Sequence, residues 1–227
     1  MNEEIKIIEL KASILEDNDE DANRLREELK NKKTCLINLM SSPGSGKTST
    51  LLALNEYFKD ELKWAVMEAD IDSDTDAKTM IDNGIESIQL HTGGMCHLDA
   101  DMTRQGLKEL KGVYDLVVLE NIGNLVCPAE YDTGANINMT ILSVPEGDDK
   151  PAKYPLMYEV SDILVINKID VMKVFGFDMD KVEKDVKSLN KDIKIFYVSA
   201  KTGEDIKELA EYLIDRIKGK QWLNLKR

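Results

Sequence analysis

The run Ser41-Ser-Pro-Gly-Ser-Gly-Lys-Thr48 carries the residue types that grip a polyphosphate. It follows an apolar stretch, Cys35-Leu-Ile-Asn-Leu-Met40, and leads into a helical pattern from Ser49 to Asn55. A strand, a glycine turn and a helix start would aim the backbone N–H groups of Gly44, Ser45, Gly46, Lys47, Thr48 and Ser49 at one point, where phosphates can sit. The Lys47 ammonium would neutralise the β/γ oxygens, and the Thr48 hydroxyl would hold Mg²⁺. In the common phosphate-loop pattern the first position is glycine; here it is Ser41.

Two downstream tetrapeptide-scale motifs select the base. Asn167-Lys168-Ile-Asp170 follows the apolar strand 162–166, and a carboxylate there can accept from both the ring N–H and the exocyclic amine of guanine. Adenine offers no such pair, so ATP would leave a charge without its partners. Ser199-Ala200-Lys201, at the end of another apolar run, would bring a backbone N–H to the guanine carbonyl. Together they point to GTP. For Mg²⁺, a cation that takes hard oxygen ligands, the candidates are Thr48, Glu120 and Asp70. Glu120 begins Glu-Asn-Ile-Gly123, whose glycine N–H would meet the γ-phosphate. Asp70, Asp72, Asp74 and Asp76 share one loop; Asp70 and Asp76 are preferred for the metal or the attacking water, with Asp72 third. The expected catalytic set is therefore Lys47, Asp76, Asp72 and Gly123.

A third constellation is Cys96-His97 and Cys127, the last only four residues beyond Gly123. Thiolate and neutral imidazole bind Zn²⁺ and Ni²⁺ well, but a closed zinc site takes four ligands and this set offers three. From spacing alone, buried inert thiols are the simpler reading. Cys35, inside the first apolar run, reads as core.

These residues need a scaffold of alternating strands and helices. Apolar strands are expected at 35–40, 64–69, 86–90, 115–120, 138–143, 162–166 and 194–198, with helical patterns at 76–83, 101–110, 178–189 and 203–218. That alternation predicts an α/β P-loop NTPase: a mostly parallel sheet with helices on both faces and the ligand crevice at the strands' carboxyl ends. Residues 3–32 read as one or two surface helices broken near Asp17 to Asp21. The expected organisation is an N-terminal helical extension, 1–32, packed on a GTPase domain, 33–227. The stretch 144–154 reads as a loop. The chain has 227 residues, 42% hydrophobic and 32% charged, and a net charge of −13, which argues against a nucleic-acid surface. With no apolar run long enough to span a bilayer, an acidic start and three cysteines, the expected compartment is the cytoplasm.

The chain resembles the hydrogenase-maturation nickel-insertion GTPases, the HypB family, from about Asn23 to Lys218. The resemblance rests on Ser41 to Thr48, on Glu68-Ala-Asp-Ile71 with Asp76-Ala77, and on Thr92-Gly-Gly-Met-Cys-His-Leu-Asp-Ala100. Glu120-Asn-Ile-Gly-Asn-Leu-Val-Cys-Pro-Ala129, Glu146-Gly-Asp-Asp-Lys-Pro151 with Lys153-Tyr-Pro155, and the two guanine motifs complete it. The cysteine-bearing segments are far more specific than a phosphate loop, and they overturn the inert-thiol reading. The resemblance implies a GTPase that forms a homodimer with GTP bound, and a Ni²⁺ or Zn²⁺ site at the dimer interface made from Cys96, His97 and Cys127. It also implies work with the hydrogenase large subunit and other maturation factors. The chain lacks the Cys-rich nickel motif and His-rich tract of many members, so nickel storage is not expected; Ala69 and Ser73 stand where glycine and threonine are expected. Urease or another nickel enzyme as client, a GTP switch with purely structural zinc, and a small-molecule kinase remain the alternatives.

Overall fold

A computed structural model describes residues 6–9, 18–70 and 75–224. In chain order the elements are β1 (Ile7–Glu9), α1 (Asn18–Lys32), β2 (Cys35–Ser41), α2 (Lys47–Phe58), β3 (Trp64–Asp70), α3 (Thr75–Asp82) and β4 (Glu86–His91). Next come α4 (Ala100–Glu109), β5 (Leu116–Glu120), α5 (Cys127–Glu130), β6 (Ile137–Ser143), α6 (Lys150–Lys153), α7 (Pro155–Glu159) and β7 (Ile163–Asn167). The chain continues with α8 (Met172–Phe175), α9 (Met179–Leu189), β8 (Lys194–Tyr197) and α10 (Ile206–Lys218).

The eight strands form one sheet in the order β1-β4-β3-β5-β2-β6-β7-β8, and every neighbouring pair is parallel. Parallel strands need a crossover that covers a face, so inner strands are buried on both sides and read as continuous apolar runs. All seven residues of β2 and all five of β5 are buried. The period of two divides each strand between two cores. Cys35, Ile37 and Leu39 pack with Trp64, Val66, Leu116 and Val118 beneath α2 and α10. On the opposite face, Leu36, Met67, Val117 and Leu119 meet Leu25 and Leu29 of α1 and Met102 of α4. Further along that face, Met40, Leu142 and Ile166 meet Met157 and Tyr158 of α7 and Val182 of α9.

The N-terminal expectation is corrected in part. Ile7–Glu9 is a strand, registered Ile7↔Gln89 on β4, where a helix was expected. The acidic stretch read as a break opens α1 instead: Asp19, Glu20 and Asp21 occupy its first turn, where the helix dipole favours negative charge. Asp17 lies outside the described residues. The stretch 144–154 is more ordered than a loop, holding a 3₁₀ turn at Val144–Glu146 followed by α6. Because all strands run the same way, Ser41, Asp70, Glu120, Ser143 and Asn167 end β2, β3, β5, β6 and β7 on one edge of the sheet. Function is expected along that edge.

Candidate functional site

The phosphate loop joins β2 to α2. Gly44 and Gly46 take positive φ angles of 74° and 102°, a region that L side chains rarely enter. Space forbids a side chain at Gly46 as well, since a Cβ there would lie 2.5 Å from Asn167 Nδ2. Ser41 is not among the positive-φ residues, so this position needs no glycine. Its buried hydroxyl accepts a hydrogen bond from Ser45 Oγ at 2.7 Å and donates to Ser42 O, bracing the turn from inside.

Asn167 ties the loops after β7 and β8 to the phosphate loop. Its Nδ2 donates to Ser45 O at 3.0 Å, and its Oδ1 accepts from the N–H groups of Lys168 and Ala200. Lys168 adopts φ 66°, a strained conformation for a non-glycine, and its Nζ donates to Gly44 O at 2.6 Å. Asp170 is oriented by Ser199, whose Oγ donates to Asp170 Oδ1 at 2.7 Å. A cleft of about 650 Å³ opens between them, lined by Gly46, Ser49, Leu52, Asp170, Phe175 and Lys201. Of the residues expected from sequence to hold nucleotide, Gly46, Ser49, Asn167, Lys168, Asp170, Ala200 and Lys201 line this cleft; Gly44, Ser45, Lys47, Thr48 and Ser199 do not line it. The Ala200 N–H is engaged by Asn167.

The carboxylates beside Lys47 differ from the expected set. Glu120 accepts from Thr48 Oγ1 at 3.3 Å and lies 3.9 Å from Lys47 Nζ. Its neighbour across the sheet is Glu68, in register on β3, and Asp76 reaches in from the first turn of α3. Ligand oxygens of Glu68, Asp76 and Glu120 all lie within 4.8 Å of one another. Asp70 is exposed at the strand end and is not one of the three. Asp72 and Asp74 lie outside the described residues.

Burial first, and then the adjacent Glu120 carboxylate, push the Glu68 carboxyl well above its usual range. Burial raises Glu120 too, while Lys47 pulls it down. Glu68 Oε1 and Glu120 Oε2 are buried without a hydrogen-bond partner. Two buried acids with spare oxygens beside a threonine hydroxyl are a donor set that suits a hard divalent cation. Glu68→Gln is expected to raise the melting midpoint of the nucleotide-free protein at neutral pH, because it removes a carboxyl whose ionised form is disfavoured by burial and then by Glu120, and to weaken Mg²⁺ binding about tenfold. Thermal denaturation across a MgCl₂ series reads both; an unchanged Mg²⁺ dependence counts against this placement.

Gly123 lies against the phosphate loop, where a Cβ would come 3.0 Å from Pro43 N and Cγ. Four residues later Cys127 opens α5, and Cys96 Sγ donates to Cys127 Sγ at 3.1 Å. That hydrogen bond, ahead of burial, raises the Cys96 thiol. His97 Nδ1 is 4.0 Å from Cys96 Sγ, but its ring stacks on Tyr131 with centroids 3.6 Å apart. Among the described residues, Glu68, Asp76 and Glu120 are the metal-type side chains whose ligand atoms all fall within 4.8 Å, so His97 does not converge on both sulfurs.

A P-loop, the Asn167–Asp170 and Ser199–Lys201 segments beside it, and a thiol pair four residues beyond a glycine packed on Pro43 now stand together. Residues 35–197 match the family model for the CobW/HypB/UreG nucleotide-binding domain. The hydrogenase/urease maturation factor HypB of Helicobacter hepaticus is 41% identical over 213 residues, covering 92% of this chain and 87% of its own. The chain belongs to the HypB family. A crystal structure of HypB from Helicobacter pylori in complex with nickel superimposes with a TM-score of 0.85 at 37% identity, over 89% of this chain and 96% of that one. HypB from Archaeoglobus fulgidus gives a TM-score of 0.82 at 35% identity, over 89% and 100%. Among the described residues no helix is long and apolar enough to cross a membrane.

Proposed function

We propose that the chain is a GTP-hydrolysing metallochaperone that delivers nickel during maturation of a [NiFe]-hydrogenase. The observation that carries this reading is the short covalent link between Gly123, packed on Pro43, and Cys127, paired with Cys96. Asp170, set by Ser199, reads guanine. Lys47 neutralises the β/γ-phosphates, the Gly123 N–H meets the γ-phosphate, and Asp76 orients the attacking water. Thr48, Glu120 and Glu68 would hold Mg²⁺, which supplies charge compensation on the phosphates when bound. Nickel, the cargo, takes Cys96 and Cys127. Zn²⁺ suits the same thiols.

One chain offers too few converging ligands, so the GTP-bound homodimer completes the shell with the second copy's groups. Loss of the γ-phosphate frees the Gly123 segment and loosens both dimer and metal, a coupling of ~1–3 kcal/mol. The coupling is reciprocal, so Ni²⁺ also raises affinity for GTP over GDP. The hydrogenase large subunit and other maturation factors are the expected partners, in the cytoplasm, where thiols stay reduced. Urease is the second client, because the H. hepaticus relative's name carries both enzymes.

Cys127→Ala is expected to abolish metal-dependent dimerisation and, without metal, to change nucleotide affinity less than twofold, since no phosphate contact is lost; the Ni²⁺-induced preference for GTP is lost with the site. Sedimentation with GDP and with a non-hydrolysable GTP analogue, each with and without Ni²⁺, reads this. A monomer under all four conditions sinks the shared-site mechanism. Metal held equally tightly throughout makes it a structural zinc.

A further inference from the structure

Glu146 has no part in the nucleotide or metal chemistry above, yet it is bonded to the phosphate loop. It ends the 3₁₀ turn after β6, and both its carboxylate oxygens are in use. Oε2 accepts from the Ser143 N–H at 2.7 Å and from Ser143 Oγ at 2.6 Å. Oε1 accepts from Ser42 Oγ, across 104 positions of sequence. The Ser143 arm is a local capping box that fixes the carboxylate to the end of β6. The Ser42 arm is non-local and grips the leading edge of the phosphate loop. The next residue, Pro43, is the one that Gly123 touches. One continuous set of contacts therefore runs from the end of β6 through Glu146 and Ser42 to Pro43 and Gly123.

We propose that Glu146 is a positioning residue for GTP hydrolysis. It holds the Ser42–Pro43 edge against Gly123, so that the γ-phosphate end of the site is set before nucleotide arrives. The proposal rests on the GTPase reading above. The inner part of the loop, Gly44 to Lys47, is held separately by Asn167 and Lys168, whose bonds go to Ser45 O and Gly44 O. Releasing Glu146 should thus disturb the γ-phosphate end and leave the grip on the β-phosphate and base in place. The effect falls on kcat and spares GDP affinity. Misplacement by about 1 Å can cost up to 10²-fold in rate.

The two arms separate this role from a structural one. In the full chain, Ser42→Ala removes the loop arm alone, and Ser143→Ala removes one of the two bonds in the capping arm. Expected results are a roughly tenfold fall in kcat for GTP with Glu146→Ala and with Ser42→Ala. Ser143→Ala stays within about twofold of the parent, and GDP dissociation constants stay within about threefold in all three variants. Thermal midpoints report the structural share of each change. If Ser42→Ala hydrolyses GTP like the parent, or if kcat follows the loss of stability equally in all three, the proposal is overturned. If the parent chain itself does not hydrolyse GTP, the GTPase reading fails and this inference with it.

Discussion

Lys47→Ala is expected to remove measurable turnover, with a fall in kcat/KM on the order of 10³ or more for loss of one preorganised charge at the transferring phosphate. Two effects combine. The ammonium, largely enclosed with 11% of its side chain exposed, is on the proposed reading the charge that neutralises the β/γ oxygens, and the variant lacks it. It also leaves Glu120 and Glu68 without the nearby cation that holds Glu120 down. The variant should therefore bind GTP and GDP more weakly and keep more of its buried acid protonated at neutral pH. Because Lys47 acts in both ground and transition states, KM and kcat should change together. Single-turnover hydrolysis with direct nucleotide titration tests it. Retained turnover with weak binding alone would make Lys47 only an anchor.

Asp170→Asn is expected to weaken GTP binding by about 2–4 kcal/mol, roughly 30- to 1,000-fold, and to favour xanthosine triphosphate. An amide presents one acceptor and one donor where guanine needs two acceptors, and xanthine has a carbonyl where guanine has the amine. The orientation of the group is protected, because Ser199 Oγ can donate to the amide oxygen as it now does to Oδ1. Nucleotide competition among GTP, ATP and xanthosine triphosphate reads the switch. Unchanged GTP affinity would move the base elsewhere in the cleft.

The strands and the phosphate loop were legible because they are local. Apolar runs of five to seven residues set β2, β3, β5, β6 and β7 to within a residue or so, and the glycines at 44 and 46 fix the turn. What escaped depends on partners far along the chain. β1 is three residues, Ile7-Ile8-Glu9, too short to carry a period of its own, and only its pairing with β4 decides. Glu68 stands inside an apolar run, and its meaning comes from a register that seats it beside Glu120. Asp70 drew attention as the strand's terminal acid, yet it is exposed and is not one of the three acids that cluster. His97 sits next to Cys96 in sequence, but the ring of Tyr131 holds it off the second sulfur. The role of Glu146 is invisible until its bond to Ser42 is seen, because nothing in a turn motif names a partner so distant.

The place of β1 also sets an order of events in time. Translation makes Ile7 long before Gln89, its partner on β4. At about 5–20 residues per second, roughly 4–16 seconds separate the two. During that interval the first strand has no sheet to join, and β4, once formed on β3, shows a bare edge until β1 returns to it. Among the described strands, the first in chain order thus waits for the fourth before it can dock. A nascent chain ending before residue 86 carries β1 with no template, and one in which β1 is delayed offers the open edge of β4 to any other extended segment nearby.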